Sequence, residues 1–463
     1  MFFRQVLHPD LGCASYVIAD GGVAAVVDPK WEIEDYLALA DEHGFEIRHV
    51  LETHNHADHV SGRGRLAAAT GATIHVPPTP GVEYPHETLA DGEALELGSV
   101  RIEALATPGH RPEHVAYLVT DRSRGEEPYA VLTGDSLFVG DVARPDLAVE
   151  AEEGARDLFR SLHRLLELPD HVQVFPGHIG GSLCGGAGMS EAPGSTIGFE
   201  RRLNALLGVA DEDEFVRRAT ADLGEQPPNF RRIVELNRGP LLTEAAPAGR
   251  LEPARVDALL RDGVTLVDGR APREWAAAHV PGSVSVTAVR ATVGTRAAAA
   301  VDPASPVVVT ATSEGDAARM VRLLEAVGFR DVRGIVAGGV EAWREAGLPL
   351  AAVESIDPQA LAERLRRGEV SLLDVRDPDE WRSGHVEGSL HVPAGELPAK
   401  LERVRSEVDG LPLAVACAAG NRSAVAVSLL ERAGFDRLVH VGDGGVSDLA
   451  DHDIDLTKED ASQ

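Results

Sequence analysis

Residues 53–62 read THNHADHVSG. A β-rich run over residues 49–53 feeds straight into His54, His56, Asp58 and His59, four potential metal ligands within six residues. Composition alone would produce such an H-x-H-x-D-H string in roughly a few chains per thousand. Imidazole and carboxylate together suit zinc or iron rather than calcium or magnesium. One short loop cannot easily close all of its side chains around a single ion, so further ligands are expected from distant strand ends.

Three candidates lie downstream, each just after a predicted strand. His110 closes TPGH (107–110) after a strand over 100–104. Asp135 sits in TGDSLF (133–138) after a strand over 130–133, and His178 closes FPGH (175–178) after one over 172–175. Other short β-rich runs fall at 15–19, 24–27, 73–76 and 115–119, with helical patterns at 32–42 and 153–166.

The C-terminal half is a repeat. LVDGRAPREWAAAHVPGSVSV (266–286) aligns without a gap on LLDVRDPDEWRSGHVEGSLHV (372–392), with about half the positions identical. The constant offset of 106 pairs Asp268 with Asp374, Trp275 with Trp381 and His279 with His385. It also pairs Gly338-Gly339-Val340 with Gly444-Gly445-Val446. Two copies of a unit of about 105 residues suit two compact domains. In each copy β-rich runs (264–267 and 307–310; 371–375 and 413–416) alternate with helical patterns such as 316–327 and 422–433. That alternation predicts a mostly parallel sheet covered by helices, with chemistry in loops at the C-terminal strand ends.

Cys417 occupies such a loop, CAAGNRS (417–423). Backbone N–H groups and a helix N-terminus there would cradle an anion and favour a thiolate, with Arg422 adding positive charge. In the first copy the offset places Ala311 where Cys417 stands and Asp316 where Arg422 stands. That copy has no nucleophile and a reversed charge, and is expected to be an inactive spacer or docking scaffold.

The order His54–His59, Pro108–His110, Gly134–Asp135 and Pro176–His178 resembles the metallo-β-lactamase superfamily. The resemblance implies an αββα sandwich with metal at one edge of the sheets. THNHADHVSG and GDSLF are more similar to persulfide dioxygenases of the ethylmalonic-encephalopathy-protein type than to hydrolases of the glyoxalase II type. That likeness implies one Fe(II) per chain on His54, His110 and Asp135, a two-His, one-carboxylate face with open positions. His56, Asp58, His59 and His178 would orient ligands and substrate. In the hydrolase reading the same residues complete a two-metal zinc site, and the ligand set alone leaves both open. The segment from Asp374 to Ser423 resembles a rhodanese, with Cys417 at the persulfide-carrying position and Ala418 where many rhodaneses have arginine. Cys184, in GGSLCGG (180–186) after His178, is expected near the metal-site entrance handling persulfide sulfur, or else is a small loop residue. Cys13, between apolar stretches, reads as core.

The expected fold is therefore α/β multidomain: an αββα sandwich over residues 1–245, an inactive rhodanese-like domain over 251–350 and a catalytic one over 354–463. Segments 241–250 and 349–355 serve as linkers. The implied activity is oxidation of a low-molecular-weight thiol persulfide by O2 to sulfite and thiol, coupled to rhodanese transfer that yields thiosulfate, in sulfide detoxification. Rival readings are a zinc thioester hydrolase with an appended rhodanese, and a non-catalytic sulfur-carrier scaffold. Arg63, Arg65, Arg111, Arg144, Arg201 and Arg202 are candidate contacts for an anionic thiol.

Bulk properties agree. The 463 residues carry 44 Lys plus Arg against 74 Asp plus Glu, a net charge of −30. Such a chain lacks the basic face that nucleic acid requires, and an anionic membrane would repel it. Three scattered cysteines fit reduced thiols in a cytoplasmic protein without a disulfide framework. The start lacks a basic region followed by an apolar stretch, so no signal peptide is expected. A homo-oligomer is the expected assembly.

Overall fold

The computed structural model describes residues 1–463 apart from 9, 181, 183, 187, 222, 248, 288–292, 409 and 460–463. Gly181 and Leu183 of the glycine-rich run around Cys184 lie outside the described residues. The chain divides into two compact units, one built on Met1–Ala245 and one on most of the remainder.

The first unit contains two six-stranded mixed sheets. Strands β1 (Phe2–His8), β2 (Cys13–Asp20), β3 (Val23–Val27), β4 (Glu46–Leu51), β5 (Thr73–Val76) and β6 (Glu87–Thr88) follow one another in space as in sequence. β1, β2 and β3 pair antiparallel, and β3 to β6 pair parallel. The second sheet comprises β7 (Ala94–Leu97), β8 (Val100–Ala106), β9 (Val115–Asp121), β10 (Ala130–Gly134), β11 (Gln173–Pro176) and β12 (Ser195–Thr196), also in sequence order.

Period-two alternation sorts the side chains into layers. Tyr16, Ile18, Val27 and Leu51 of the first sheet share a buried cluster with Ile102, Tyr117, Val119 and Leu132 of the second. The intervening residues Val17, Ala19, Val26 and Val50 face the other way, onto Tyr36 of helix Glu34–His43 and Leu66 of helix Arg63–Thr70. On the far side Val131 and Val174 pack on Leu158, Leu162 and Leu165 of helix Ala151–Leu165. The result is the expected αββα layering.

Strand direction places the chemistry. β8 and β10 are both antiparallel to β9, and β11 is parallel to β10. The segments leaving β8, β10 and β11 therefore emerge at one edge of their sheet. They carry His110, Asp135 and His178.

The second unit holds both repeats, each with a five-stranded, wholly parallel sheet. The first uses β13 (Arg250–Leu251), β14 (Thr265–Asp268), β15 (Val284–Ser285), β16 (Val307–Thr310) and β17 (Val332–Val336), in the order β13-β17-β16-β14-β15. The second uses β18 (Glu354–Ile356), β19 (Ser371–Asp374), β21 (Leu390–His391), β22 (Leu413–Ala416) and β23 (Leu438–Val441), in the order β18-β23-β22-β19-β21. A two-stranded ribbon of β20 (His385–Val386) and β24 (Leu456–Thr457) accompanies it.

The repeat holds at atomic detail. Arg270 grips Asp268 through Nε at 3.0 Å and Nη2 at 2.7 Å, and Arg376 grips Asp374 at the same two distances. Trp275 stacks on His279 and Trp381 on His385, each at 3.9 Å between ring centroids.

Candidate metal centre and thiol cradle

β4 ends at Leu51, two residues earlier than its apolar pattern suggests, because Thr53 turns to Asp28. The Thr53 backbone N–H donates to Asp28 Oδ1 at 2.7 Å and its hydroxyl to Oδ2 at 2.8 Å. With its proton committed to Asp28, Thr53 Oγ1 accepts from His54 Nδ1 at 2.9 Å. That fixes the His54 tautomer and turns the Nε2 lone pair inward. His110 is set likewise, its Nδ1 donating to the Arg144 carbonyl at 3.0 Å. Asp135 accepts from His178 Nδ1 at 2.7 Å through Oδ1, which leaves Oδ2.

The Nε2 atoms of His54 and His110 and Oδ2 of Asp135 are buried and have no hydrogen-bond partner among the described residues. Oδ2 lies 3.9 Å from His54 Nε2 and 3.5 Å from His110 Nε2. Buried polar atoms are almost always paired. Three lone pairs converging in a dry pocket repel one another unless a cation lies between them. The donor set therefore fits a metal ion, and it is the two-His, one-carboxylate set expected for iron. Burial, reinforced by neighbouring His56, His114 and His110, holds His54 far below the usual imidazole range, so it presents a neutral ligand nitrogen.

A second set surrounds the first. His178 Nε2 reaches Asp58 Oδ2 at 2.8 Å, and His59 Nδ1 reaches the same oxygen at 3.1 Å. His56 Nε2 stands 3.1 Å from both Asp28 Oδ1 and Glu52 Oε2. His56 Nδ1, Asp58 Oδ1 and His59 Nε2 also lack partners among the described residues, and ligand atoms of these three residues fall within 4.8 Å of one another. Burial works against charge on His178, yet Asp135 and Asp58 lift it to about 10. Burial likewise opposes charge on Asp135, but His178 holds that carboxyl at about 2.

Support for the site extends to residues that the sequence pattern did not single out. His114 Nε2 accepts the Asp135 backbone N–H at 2.9 Å, and its Nδ1 meets Thr107 Oγ1 at 2.8 Å. Its one sequence signal is the spacing of four from His110. Gly134 has φ +49°, and a Cβ there would lie 2.6 Å from His114 Nε2 and 2.8 Å from Thr53 Oγ1. Only glycine lets the strand end come this close. Asp28 has no signal beyond its place after a predicted strand, and Glu52 lies inside one.

Cys184 is fully buried against Ala57, Phe138, Ala143 and Phe230, and its sulfur lies within 4.8 Å of ligand atoms of Asp58 and His178. Burial, then the charges of Asp58 and Asp135, push its thiol well above the usual range. Cys13 is buried at the start of β2 and forms an isolated bridge with His178, steadying that loop.

The candidate arginines separate. A cavity of about 320 Å³ opens against Ala57 of the metal loop, lined by Arg111, Leu147, Phe230, Val234, Arg231 and Arg238. Only Arg111 of the candidates lines it. Arg63 is buried instead against the Asn237 carbonyl and Glu52. Arg144 pairs with Asp146 at 2.7 Å and serves the metal set through its carbonyl. Arg65 holds the Trp31 carbonyl and Glu34, and Arg201 holds Asp170. Arg202 is exposed on helix Ile197–Leu203.

In the second unit Cys417 follows β22 and is buried. Its sulfur accepts the Gly420 backbone N–H at 3.1 Å, and Ser423 Oγ lies 3.6 Å away. A Cβ on Gly445 would meet the Cys417 carbonyl at 1.9 Å, so the loop crossing the cysteine must be glycine there. Arg422 is clamped by Asp377 at 2.7 Å and Glu380 at 2.8 Å. In the first copy Ala311 fills the cysteine position, and Thr312 Oγ1 donates to Glu274 at 3.1 Å.

Fold and site together define a metal-binding enzyme of the metallo-β-lactamase type carrying rhodanese domains. Sequence comparison agrees: the metallo-β-lactamase superfamily model matches residues 8–178, and the rhodanese-like domain model matches 252–346 and again 357–452. The chain thus joins a metallo-β-lactamase superfamily domain to two rhodanese domains.

Among its relatives, hydroxyacylglutathione hydrolase of Methylococcus capsulatus is 37% identical over 34% of this chain and 57% of its own length. The chain thus spans little more than half of that relative. Persulfide dioxygenase ETHE1 of Bos taurus is 28% identical over 47% of this chain and 80% of its own length. The crystal structure of a metallo-β-lactamase from Staphylococcus aureus covers 73% of this chain and 98% of its own, with 26% identity and a TM-score of 0.65. No helix among the described residues is long and apolar enough to cross a membrane.

Proposed function

We propose that the protein is an iron-dependent persulfide dioxygenase whose sulfite product is consumed by its own rhodanese site. The observation that carries the reading is the pairing, in one chain, of a buried two-His, one-carboxylate set with a buried cysteine whose sulfur accepts a loop N–H. Iron bound there would supply the redox chemistry that joins O2 to the persulfide sulfur. His54, His110 and Asp135 would hold the ion, and Thr53, Arg144 and His178 fix their lone pairs. Arg111, Arg231 and Arg238 bind the carboxylates of the thiol carrier, and Leu147, Phe230 and Val234 cover its apolar part. At about 320 Å³ the cavity is at the small end of ligand sites, which suits a compact acidic thiol. Cys184, buried beside Asp58 and His178, would meet sulfur near the metal.

The reaction balances as RSSH + O2 + H2O → RSH + SO3²⁻ + 2 H⁺. Cys417 thiolate then displaces RS⁻ from a second persulfide and becomes Cys417–SSH. Sulfite attacks the outer sulfur, giving thiosulfate and regenerating the thiol. Residence of both sites in one polypeptide favours capture of sulfite.

The test is metal analysis of the full chain with an oxygen-electrode trace on a panel of thiol persulfides, glutathione and coenzyme A among them. Iron and stoichiometric O2 uptake are expected.

The unpartnered atoms of His56, Asp58 and His59 favour a second reading, a dinuclear zinc thioester hydrolase. Under it the protein holds two zinc ions, ignores O2 and cleaves an acylglutathione.

A further inference from the structure

The two repeats differ behind the cysteine loop as well as in it. Ser355 on β18 and His440 on β23 are paired across the sheet, and Ser355 Oγ lies 3.0 Å from His440 Nδ1. His440 is buried, and its Nε2 donates to the Gly420 carbonyl at 2.9 Å. Gly420 in turn donates its N–H to Cys417 Sγ at 3.1 Å. The offset of 106 puts Gly249 where Ser355 stands, Gly334 where His440 stands, Glu314 where Gly420 stands and Ala311 where Cys417 stands. A Cβ on Gly334 would come within 2.4 Å of the Gly249 carbonyl, so the first copy has no room there for an imidazole. The copy without a nucleophile has lost every member of this chain of bonds.

The partners fix the tautomer. A carbonyl oxygen only accepts, so Nε2 carries the proton and Nδ1 accepts from the Ser355 hydroxyl. Burial holds His440 below the usual imidazole range, which keeps the ring neutral. Gly420 has φ +88°, and a Cβ there would lie 3.1 Å from Gly442 Cα. Glycine has the widest backbone freedom of any residue, so its N–H stays on the sulfur only if the residue is held from outside. The Ser423 hydroxyl at 3.0 Å and the Ala424 N–H at 3.2 Å also reach the Gly420 carbonyl. Both belong to helix Asn421–Arg432, which Gly420 caps, and they move with it. His440 ties Gly420 to the sheet.

When an acceptor takes the outer sulfur from a Cys417 persulfide, the S–S bond breaks and its electron pair stays on Sγ. A hydrogen bond donated to that anion stabilises it. We propose that His440, backed by Ser355, is a positioning residue for sulfur transfer, pinning Gly420 so that its N–H meets the Cys417 thiolate. This rests on the reading of Cys417 as a sulfur carrier.

The test uses the full chain, with His440→Leu, His440→Gln and Ser355→Ala. Leucine fills the space without a donor, and glutamine restores a donor to Gly420. Thiosulfate-to-cyanide transfer should show kcat lowered about tenfold in H440L, KM for thiosulfate held within about twofold, and recovery in H440Q, because one hydrogen bond to an anion is lost and restored. Ser355 is exposed, so S355A disturbs no packing and should lower kcat about threefold. A second readout needs no turnover: the rate at which iodoacetamide alkylates Cys417 at about pH 6, where ionisation of an ordinary thiol limits the reaction, followed by mass spectrometry. It should fall in the same ratios. Wild-type kcat and alkylation in H440L, or no recovery in H440Q, would overturn the proposal. Should H440L not fold, wild-type values in S355A would overturn it. A wild-type chain with no more transfer than Cys417→Ser would overturn the sulfur-carrier reading instead, while the alkylation ratios still decide the role of His440.

Discussion

His178 Nδ1 lies 2.7 Å from Asp135 Oδ1, so one oxygen of that carboxylate is spent on orientation and the other is left without a hydrogen-bond partner among the described residues. A partner of this kind typically contributes 10–100-fold to metal affinity or activity. His178→Ala should therefore lower iron retention during dialysis by about one to two orders of magnitude. Iron per chain, measured after dialysis against a graded chelator, checks it. Retention equal to wild type would mean that Asp135 is positioned without its histidine.

Asp135→Ala removes the one carboxylate of the buried trio. The variant should lose bound iron and all persulfide-dependent O2 uptake. Its far-UV circular dichroism should stay native, because Asp135 follows β10 rather than packing in either core cluster. Undiminished uptake would remove Asp135 from the ligand set.

Most of this cluster was legible because of a local rule: a polar residue in the loop after a buried strand is carried to the sheet edge. His54, His110, Asp135 and His178 each follow that rule. His114 and Asp28 were not legible, since a lone histidine or aspartate beside a strand looks like any solvated turn. The arginines sort for a different reason: Arg111 lines the cavity and the other five candidates do not. Which guanidinium reaches the cavity depends on how helix Phe230–Arg238 packs, and no short-range pattern encodes that. Arg231 and Arg238 line the cavity without having been singled out, while Arg63 and Arg144 are drawn into internal pairs. The repeat revealed two rhodanese copies and the loss of one cysteine. It carried no sign that helix Val293–Ala300 would lie against the other copy's active helix.

Arg231 is exposed and Arg238 half-buried at the cavity, so each contributes a modest screened attraction. The double variant Arg231→Gln/Arg238→Gln should raise KM for an acidic thiol persulfide about three- to tenfold, with kcat held within about twofold. Raising ionic strength should weaken wild type toward the variant. A fall in kcat at constant KM would place these arginines in the chemistry instead.

Removing the metal and removing the thiol should separate the two activities. Chelation of the full chain should abolish O2 uptake yet leave thiosulfate-to-cyanide transfer intact, because Cys417 draws on Gly420 and Ser423 and on no metal ligand. Cys417→Ser should do the converse. Oxygen uptake persists, while the product shifts from thiosulfate to sulfite, since no persulfide remains on the protein for sulfite to attack. Serine keeps the cavity filled and retains an acceptor for the Gly420 N–H, so the loop should hold its shape. Chromatographic measurement of the two anions during a single oxygen-electrode run decides the matter. Thiosulfate formed at the wild-type ratio by the serine variant would show that sulfur reaches sulfite without passing through this cysteine.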